Sequence, residues 1–399
     1  MKKLATALIV LAVALNLITP LSAHADSTVS APVTKNTPPP GVDIAKTLST
    51  VTGVAISPLL GVSVIGCYQW SKASTPEEKA KLPWFANPLF WVPAFLLLVA
   101  CFVKDSAGIV LPPGLKKPFD VMETIEHKIS GLVATGAFVP IMVNIIREAN
   151  STGGQPTLSM ASLGCATIDF HAVFYDVLMT PIAMAAFFIV FLASNAIQIL
   201  ILISPFGALD AGLKAFRTSV LASVGITAWM NPWMGAAWAL VILFISYFIA
   251  GWSFRLSHFG VVFLWDFCTG RKIRFRPDTK ENKLFLSRKI NKVPARTYGK
   301  LSRNDKGELV LHYHPWLVLP PRTMIMPEGK YETGRGVFYS EILHVEGDSA
   351  KTMILLPPRY LGHEEEVARI YNFAGTRDVG LRAAWAWFKN LFGGKTATA

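Results

Sequence analysis

Apolar residues gather in membrane-length runs up to about residue 265, after which the pattern turns to short alternating stretches divided by turn signals. The first pattern predicts a mainly α-helical polytopic membrane domain over 44–265, because a helix needs about 20 apolar residues to cross a hydrocarbon core. About five transmembrane helices are expected: Val42–Trp70, Trp84–Val103, Ile129–Ile146, Val177–Ile203 and a run from Thr218 to Trp252. Gly53, Gly61 and Gly66 in the first suit close helix packing. Trp84, Phe85 and Trp91 suit a membrane–water interface in the second. Phe119–Lys128, polar on one side, leads as a helix into the third, and Pro232 interrupts the last, so Thr218–Met230 reads as a short entering helix.

The second pattern predicts a small β-rich soluble module over 270–375 with a C-terminal helix. Strands are expected at Thr297–Leu301, Glu308–His314, Trp316–Leu319, Val337–Val345 and Lys351–Leu356, separated by turns such as Asn304-Asp305-Lys306-Gly307 and Pro320-Pro321. A helix over Tyr360–Phe373 follows, with Val367, Ile370 and Tyr371 as its buried stripe. This run of strands closed by one helix resembles a pleckstrin-homology-like barrel. Residues 376–399 read as a basic amphipathic tail, in which Arg377, Arg382, Trp385, Phe388, Lys389 and Phe392 form a candidate membrane-surface site.

At the other end, Lys2 and Lys3, the apolar stretch Leu4–Leu17 and Ala23-His24-Ala25 have the layout of a signal peptide over 1–25. Residues 26–43, with Pro38-Pro39-Pro40, read as a disordered linker.

Composition sharpens the class. With 399 residues, only 16% of them charged, and a mean hydropathy of +0.41, the apolar surplus is too large for an ordinary soluble protein. The net charge of +12 is concentrated between Arg255 and Arg303, beside a predicted span. Anionic lipid and the positive-inside rule account for that cluster, so no nucleic-acid partner is expected. Lys72, Lys79, Lys81 and Arg255–Arg276 then lie inside, which places the module in the cytoplasm and the chain in a bacterial inner membrane.

Chemistry-bearing residues are sparse. Glu123, Glu126 and His127, and Asp169, His171 and Asp176, are the best acid–base clusters, but neither has zinc-ligand spacing. Cys67, Cys101, Cys165 and Cys268 form no C-x-x-C, and His312 and His314 alone make no metal site. Asn144, Asn195 and Gln198 are candidate pore-lining residues, whereas no charge stands centrally in a predicted span, as a coupled pump would require. No catalytic residue, metal site or cofactor is expected.

Asn87-Pro88-Leu89-Phe90-Trp91 and Asn231-Pro232-Trp233 each open an apolar helix, with Asn as cap and Pro at the first helical position. These starts, with Lys104-Asp105 and the Asp120–His127 lead-in, resemble a family of small bacterial integral-membrane proteins known as a domain of unknown function, over residues 50 to 255. The resemblance implies a multi-helix membrane domain and supplies no activity. The expected function is a non-enzymatic inner-membrane scaffold that binds lipid head groups, or a protein partner through residues 297–399. A passive channel or small-solute transporter is the alternative, and an intramembrane lipid-modifying enzyme the third reading.

Overall fold

The computed structural model describes residues 42–108, 113–151, 170–204, 206–347, 349–380 and 382–383. The signal peptide, the linker up to residue 41, Asp169 and the tail residues Trp385, Phe388, Lys389 and Phe392 lie outside the described residues. Among the described residues, helices come first and one mixed sheet of eight strands follows. Two helical stretches among these residues are long and apolar enough to cross a membrane, Pro181–Ile203 and Pro232–Cys268.

The expected first span is two helices, α1 (Val42–Ile56) and α2 (Pro58–Lys72). Pro58 has no N–H to continue the ladder and its ring would strike a carbonyl of the preceding turn, so the helix breaks at Ser57. The chain then folds back sharply: a Cβ on Gly61 would stand 2.7 Å from the Cα of Val54, seven residues earlier. A second hairpin is built the same way. Helix α7 (Gly207–Met230) ends at Asn231, whose Oδ1 accepts from the Trp233 N–H at 2.8 Å, and Pro232 opens α8 (Pro232–Cys268). A Cβ on Gly235 would lie 2.6 Å from the Ala228 Cα, and Trp238 Nε1 donates to Ser223 Oγ at 2.7 Å across the pair. Thr218–Met230 is therefore part of a 24-residue returning helix rather than a short entry into the last span.

Between the hairpins lie the short helix α3 (Pro76–Ala80), α4 (Pro88–Gly108), α5 (Pro113–Ser151) and α6 (Phe170–Ile203). Asn87 caps α4 by accepting from Leu89 N–H at 2.9 Å, and the lead-in Phe119–Lys128 runs unbroken through α5, both as expected. Two apolar layers order the bundle. One joins Val54, Val62, Ala134, Phe187, Val190 and Val224, and Trp238 and Ile242 pack against it. The other joins Val121, Ile199, Leu202, Phe259 and Phe263 to Phe285 and Leu355 of the sheet. Thus α5 and α7 run away from the sheet, while α6 and α8 run towards it.

The sheet comprises β1 (Glu281–Leu286), β2 (Tyr298–Arg303), β3 (Leu309–Tyr313), β4 (Arg322–Ile325), β5 (Lys330–Arg335), β6 (Ser340–Glu346), β7 (Ser349–Leu356) and β8 (Thr376–Asp378). Their order is β4-β3-β2-β1-β7-β6-β5-β8, antiparallel except for the β5–β8 pair. Leu284, Leu301, Leu311, Ile342 and Ile354 form one buried face, covered by Tyr360, Val367 and Tyr371. The covering helix α9 is Glu364–Ile370, shorter than the expected Tyr360–Phe373. Gly362 at φ +88° delays its start and Asn372 at φ +49° ends it. The expected strand Trp316–Leu319 is instead a turn: Pro315–Leu317 is a 3-10 segment, with Trp316 at φ +55° and Leu317 at φ +65°. Pro315, Pro320 and Pro321 offer no ladder donors around it, which excludes a strand there.

Candidate functional site: the junction of helix and module

Helix α8 has 37 residues, and at about 1.5 Å per residue it is roughly 55 Å long, well beyond a hydrocarbon core of about 30 Å. Its C-terminal third is where the module docks. Phe259 meets Phe285 edge-on with ring centroids 5.0 Å apart and Tyr339 at 6.2 Å, and His258 sits 4.9 Å from the Tyr298 ring. Gly260 admits α6: a Cβ there would lie 2.1 Å from Ile199 Cδ1. Helices and sheet thus share one core.

Charge closes the same junction. Arg359, held between β7 and α9, donates through Nε to Asp266 Oδ2 at 2.6 Å, and both side chains are almost wholly buried. Arg271 approaches the other carboxylate oxygen at 3.8 Å, and the Arg359 guanidinium lies 5.9 Å from the Phe275 ring. A buried carboxylate needs such partners, because desolvation alone would expel its charge. Burial also pushes the hydroxyls of Tyr298, Tyr339 and Tyr360 above the ordinary tyrosine range.

Beside this junction is a small cavity of about 70 Å³. Arg255, His258, Arg296, Tyr298, His314 and Trp316 line it, so it draws on α8, the β1–β2 loop and the β3–β4 turn. Arg255 Nε donates to the Ala295 carbonyl at 3.1 Å. The Arg296 guanidinium lies 5.3 Å from the Phe259 ring, and its enclosed Nη1 has no hydrogen-bond acceptor. Burial lowers the Arg296 pKa, against the opposing pull of Tyr339 and Glu341.

A second polar cluster lies within the helices at the module-facing end. Glu123 Oε2 pairs with Lys214 Nζ at 2.6 Å, and its Oε1 accepts from Gln198 Nε2 at 3.1 Å. Arg217 Nη1 in turn donates to Gln198 Oε1 at 2.9 Å. Both ends of the Gln198 amide are therefore held by protein. Asn195 Nδ2 donates to Ser257 Oγ at 2.7 Å, tying α6 to α8, and Ser194 Oγ donates to the Ile56 carbonyl at 2.7 Å. These hydrogen bonds join helices across the interior of the bundle. His127 shares a buried face with Glu123, as their spacing predicts, and stacks on Phe191 at 5.6 Å.

The side chains of Asn144, His171 and Asp176 lie outside the described residues. Among the described residues, no group of three His, Cys, Asp or Glu side chains converges as a metal site. Arg377 and Arg382 sit at the β8 edge, where Arg377 Nε contacts Glu332 Oε2 at 2.5 Å and Arg382 Nε contacts Asp378 Oδ1 at 3.2 Å. Asp266 and Arg359 were not singled out from sequence; they stand 93 positions apart, and neither belongs to a motif. Arg255 and Arg296 were visible only as members of a basic stretch.

The arrangement defines a helical bundle that carries an eight-stranded module on an extended helix. No family model matches the chain, and neither a curated protein nor a solved structure matches it.

Proposed function

We propose that the chain is a non-enzymatic multi-pass membrane anchor that holds its β-module as a fixed binding platform on the cytoplasmic face of a bacterial inner membrane. The observation that carries this reading is the junction itself: the buried Asp266–Arg359 pair and the core shared by Phe259, Phe263, Phe285 and Leu355 leave no flexible tether between helix and sheet.

Several features support the membrane part. Large apolar side chains are exposed along most of the longer helices, among them Leu89 and Leu96 on α4, Ile226 on α7, and Phe244, Tyr247 and Phe248 on α8. A surface this broad needs a lipid or protein cover. The α7–α8 tip, Trp229-Met230-Asn231-Pro232-Trp233, has two exposed tryptophans and no charge, as suits an interface on the translocated side. Lys214, Arg217, Arg255, Arg271, Lys272 and Arg274 gather at the opposite end, next to the module, as the positive-inside rule prefers for the cytoplasm. The run of antiparallel strands followed by a helix supports the pleckstrin-homology-like reading of the module. Its open edge strand β4 offers unpaired backbone groups to a partner.

The test is cross-linking of the full chain in native membranes, after a carbonate wash that strips peripheral proteins. The platform reading predicts that the chain stays with the membrane and that cross-links to one stable partner fall within residues 297–399. Release by carbonate, or cross-links confined to the helices, contradicts it.

A further inference from the structure

Trp316, Leu317, Val318 and Leu319 form an apolar turn that stays largely exposed: Val318 is 88% exposed and Trp316 54%. The turn lies against α8 at one particular height. Trp316 rests on Gly251, where a Cβ would approach its ring to 3.2 Å, and its ring lies 5.5 Å from that of Phe254. Gly251 follows Pro232 by 19 residues, which is about 29 Å along a helix. With the tryptophan-bearing α7–α8 tip at one boundary of a core of about 30 Å, Gly251 and the turn fall at the other. The turn also continues the exposed apolar face formed by Phe244, Tyr247 and Phe248.

Immediately next to this turn are the two guanidinium groups of the small cavity. Arg255 is one turn of α8 beyond Gly251, and Arg296 reaches the same cavity from the β1–β2 loop, which also exposes Arg288, Lys289 and Lys292. At about 70 Å³ the cavity holds a few waters or one phosphate-sized group, but not a nucleotide. Arg296, mostly buried and with an acceptor missing at Nη1, gains from an anion, and a guanidinium is the side chain best suited to hydrogen-bond a phosphodiester.

We propose that the β3–β4 turn and this cavity form an interfacial lipid site. Trp316–Leu319 enter the boundary between head groups and acyl chains, while Arg255 and Arg296 hold the phosphodiester of an anionic phospholipid. The inference rests on the reading of α8 as a membrane span and adds the ligand class and the residues that take it.

The experiment uses the full chain in nanodiscs containing phosphatidylglycerol in phosphatidylcholine. Retained lipid is counted by native mass spectrometry after release into detergent. Wild type retains phosphatidylglycerol selectively. The double variant Arg255→Gln, Arg296→Gln retains about tenfold less, the effect of losing a charge-assisted hydrogen bond, whereas Arg255→Lys, Arg296→Lys retains an intermediate amount. Val318→Asp, at an exposed position that folding does not need, weakens retention while leaving the melting temperature unchanged. Equal retention by wild type and the double Gln variant overturns the proposal. Displacement of the lipid by millimolar inorganic phosphate also overturns it, assigning the cavity to a soluble anion. Failure to enter nanodiscs at all contradicts the membrane-anchor reading instead, so the two failures are distinguishable.

Discussion

Asp266 shows at the scale of one residue how the two parts of the molecule are coupled. Its side chain has no exposed surface, and the charge is tolerable only because Arg359 meets it at 2.6 Å with Arg271 nearby. Arg359→Ala leaves that carboxylate buried without its main partner, and should cost about 3–5 kcal/mol in thermal melts followed by tryptophan fluorescence. Replacing both partners, Asp266→Asn with Arg359→Met, should cost much less. A second residue-scale expectation concerns the tyrosines under α9. Burial pushes Tyr331 and Tyr371 up to about 12, and Tyr360 moves the same way. An unfolded tyrosine ionises near about 10, so the folded module binds protons that the unfolded chain releases. Their contribution is full below pH about 10 and is lost as pH rises towards about 12. Absorbance at the tyrosinate band should show these three ionising late, together with unfolding. Tyr371 was expected in the buried stripe of its helix and is buried there, whereas the Asp266–Arg359 pair was not legible from sequence. A lone Asp near a helix end and an Arg after two prolines carry no local pattern, because only the tertiary fold brings them together.

At the scale of elements, the legible features were those decided locally. Asn87 and Asn231 cap the helices they were expected to cap, since an Asn side chain reaches the amide two residues on whatever the surroundings. The fold-back at both proline breaks was not legible, because it depends on what a glycine three residues later touches. Gly61 and Gly235 each sit against backbone seven residues earlier, and any side chain there would force the hairpin open. Gly235→Val should therefore lower stability by about 1–3 kcal/mol, as overpacking does. Gly225→Ala, on the same hairpin but with nothing within 4 Å of the added carbon, should be neutral or stabilising by up to about 1 kcal/mol. Equal loss from both, in parallel thermal melts, would contradict the hairpin packing. Strands β1 and β5 escaped the sequence reading for a related reason. Glu281–Leu286 and Lys330–Arg335 are short and carry charges, and they become strands because β7 and β6 pair with them. Trp316–Leu319 erred in the other direction: an apolar run that resembled a strand is a turn facing outward.

For the whole molecule, the expected division into a helical part and a β-rich part holds, but the boundary is not a linker. Helix α8 passes through it without a break, with Trp238 and Ile242 packed against one apolar layer and Phe259 and Phe263 buried in the next, where the sheet joins. A helix of about 55 Å exceeds a hydrocarbon core of about 30 Å by about four turns, enough to reach the sheet. Under the proposed anchor reading, helix packing would set the orientation of the module, and the proposed lipid site would fit the same architecture. The measurement that tests this most directly is a nitroxide scan along α8 in the full chain reconstituted into bilayers, with the four native cysteines replaced by serine. Accessibility to oxygen and to a water-soluble nickel chelate is compared at each position. The account predicts labels at Leu240, Phe244 and Phe248 that collide with oxygen and exclude nickel, and labels at Phe259 and Phe263 that exclude both because the module covers them. Nickel access at Leu240 to Phe248, or free access at Phe259 and Phe263, would contradict it.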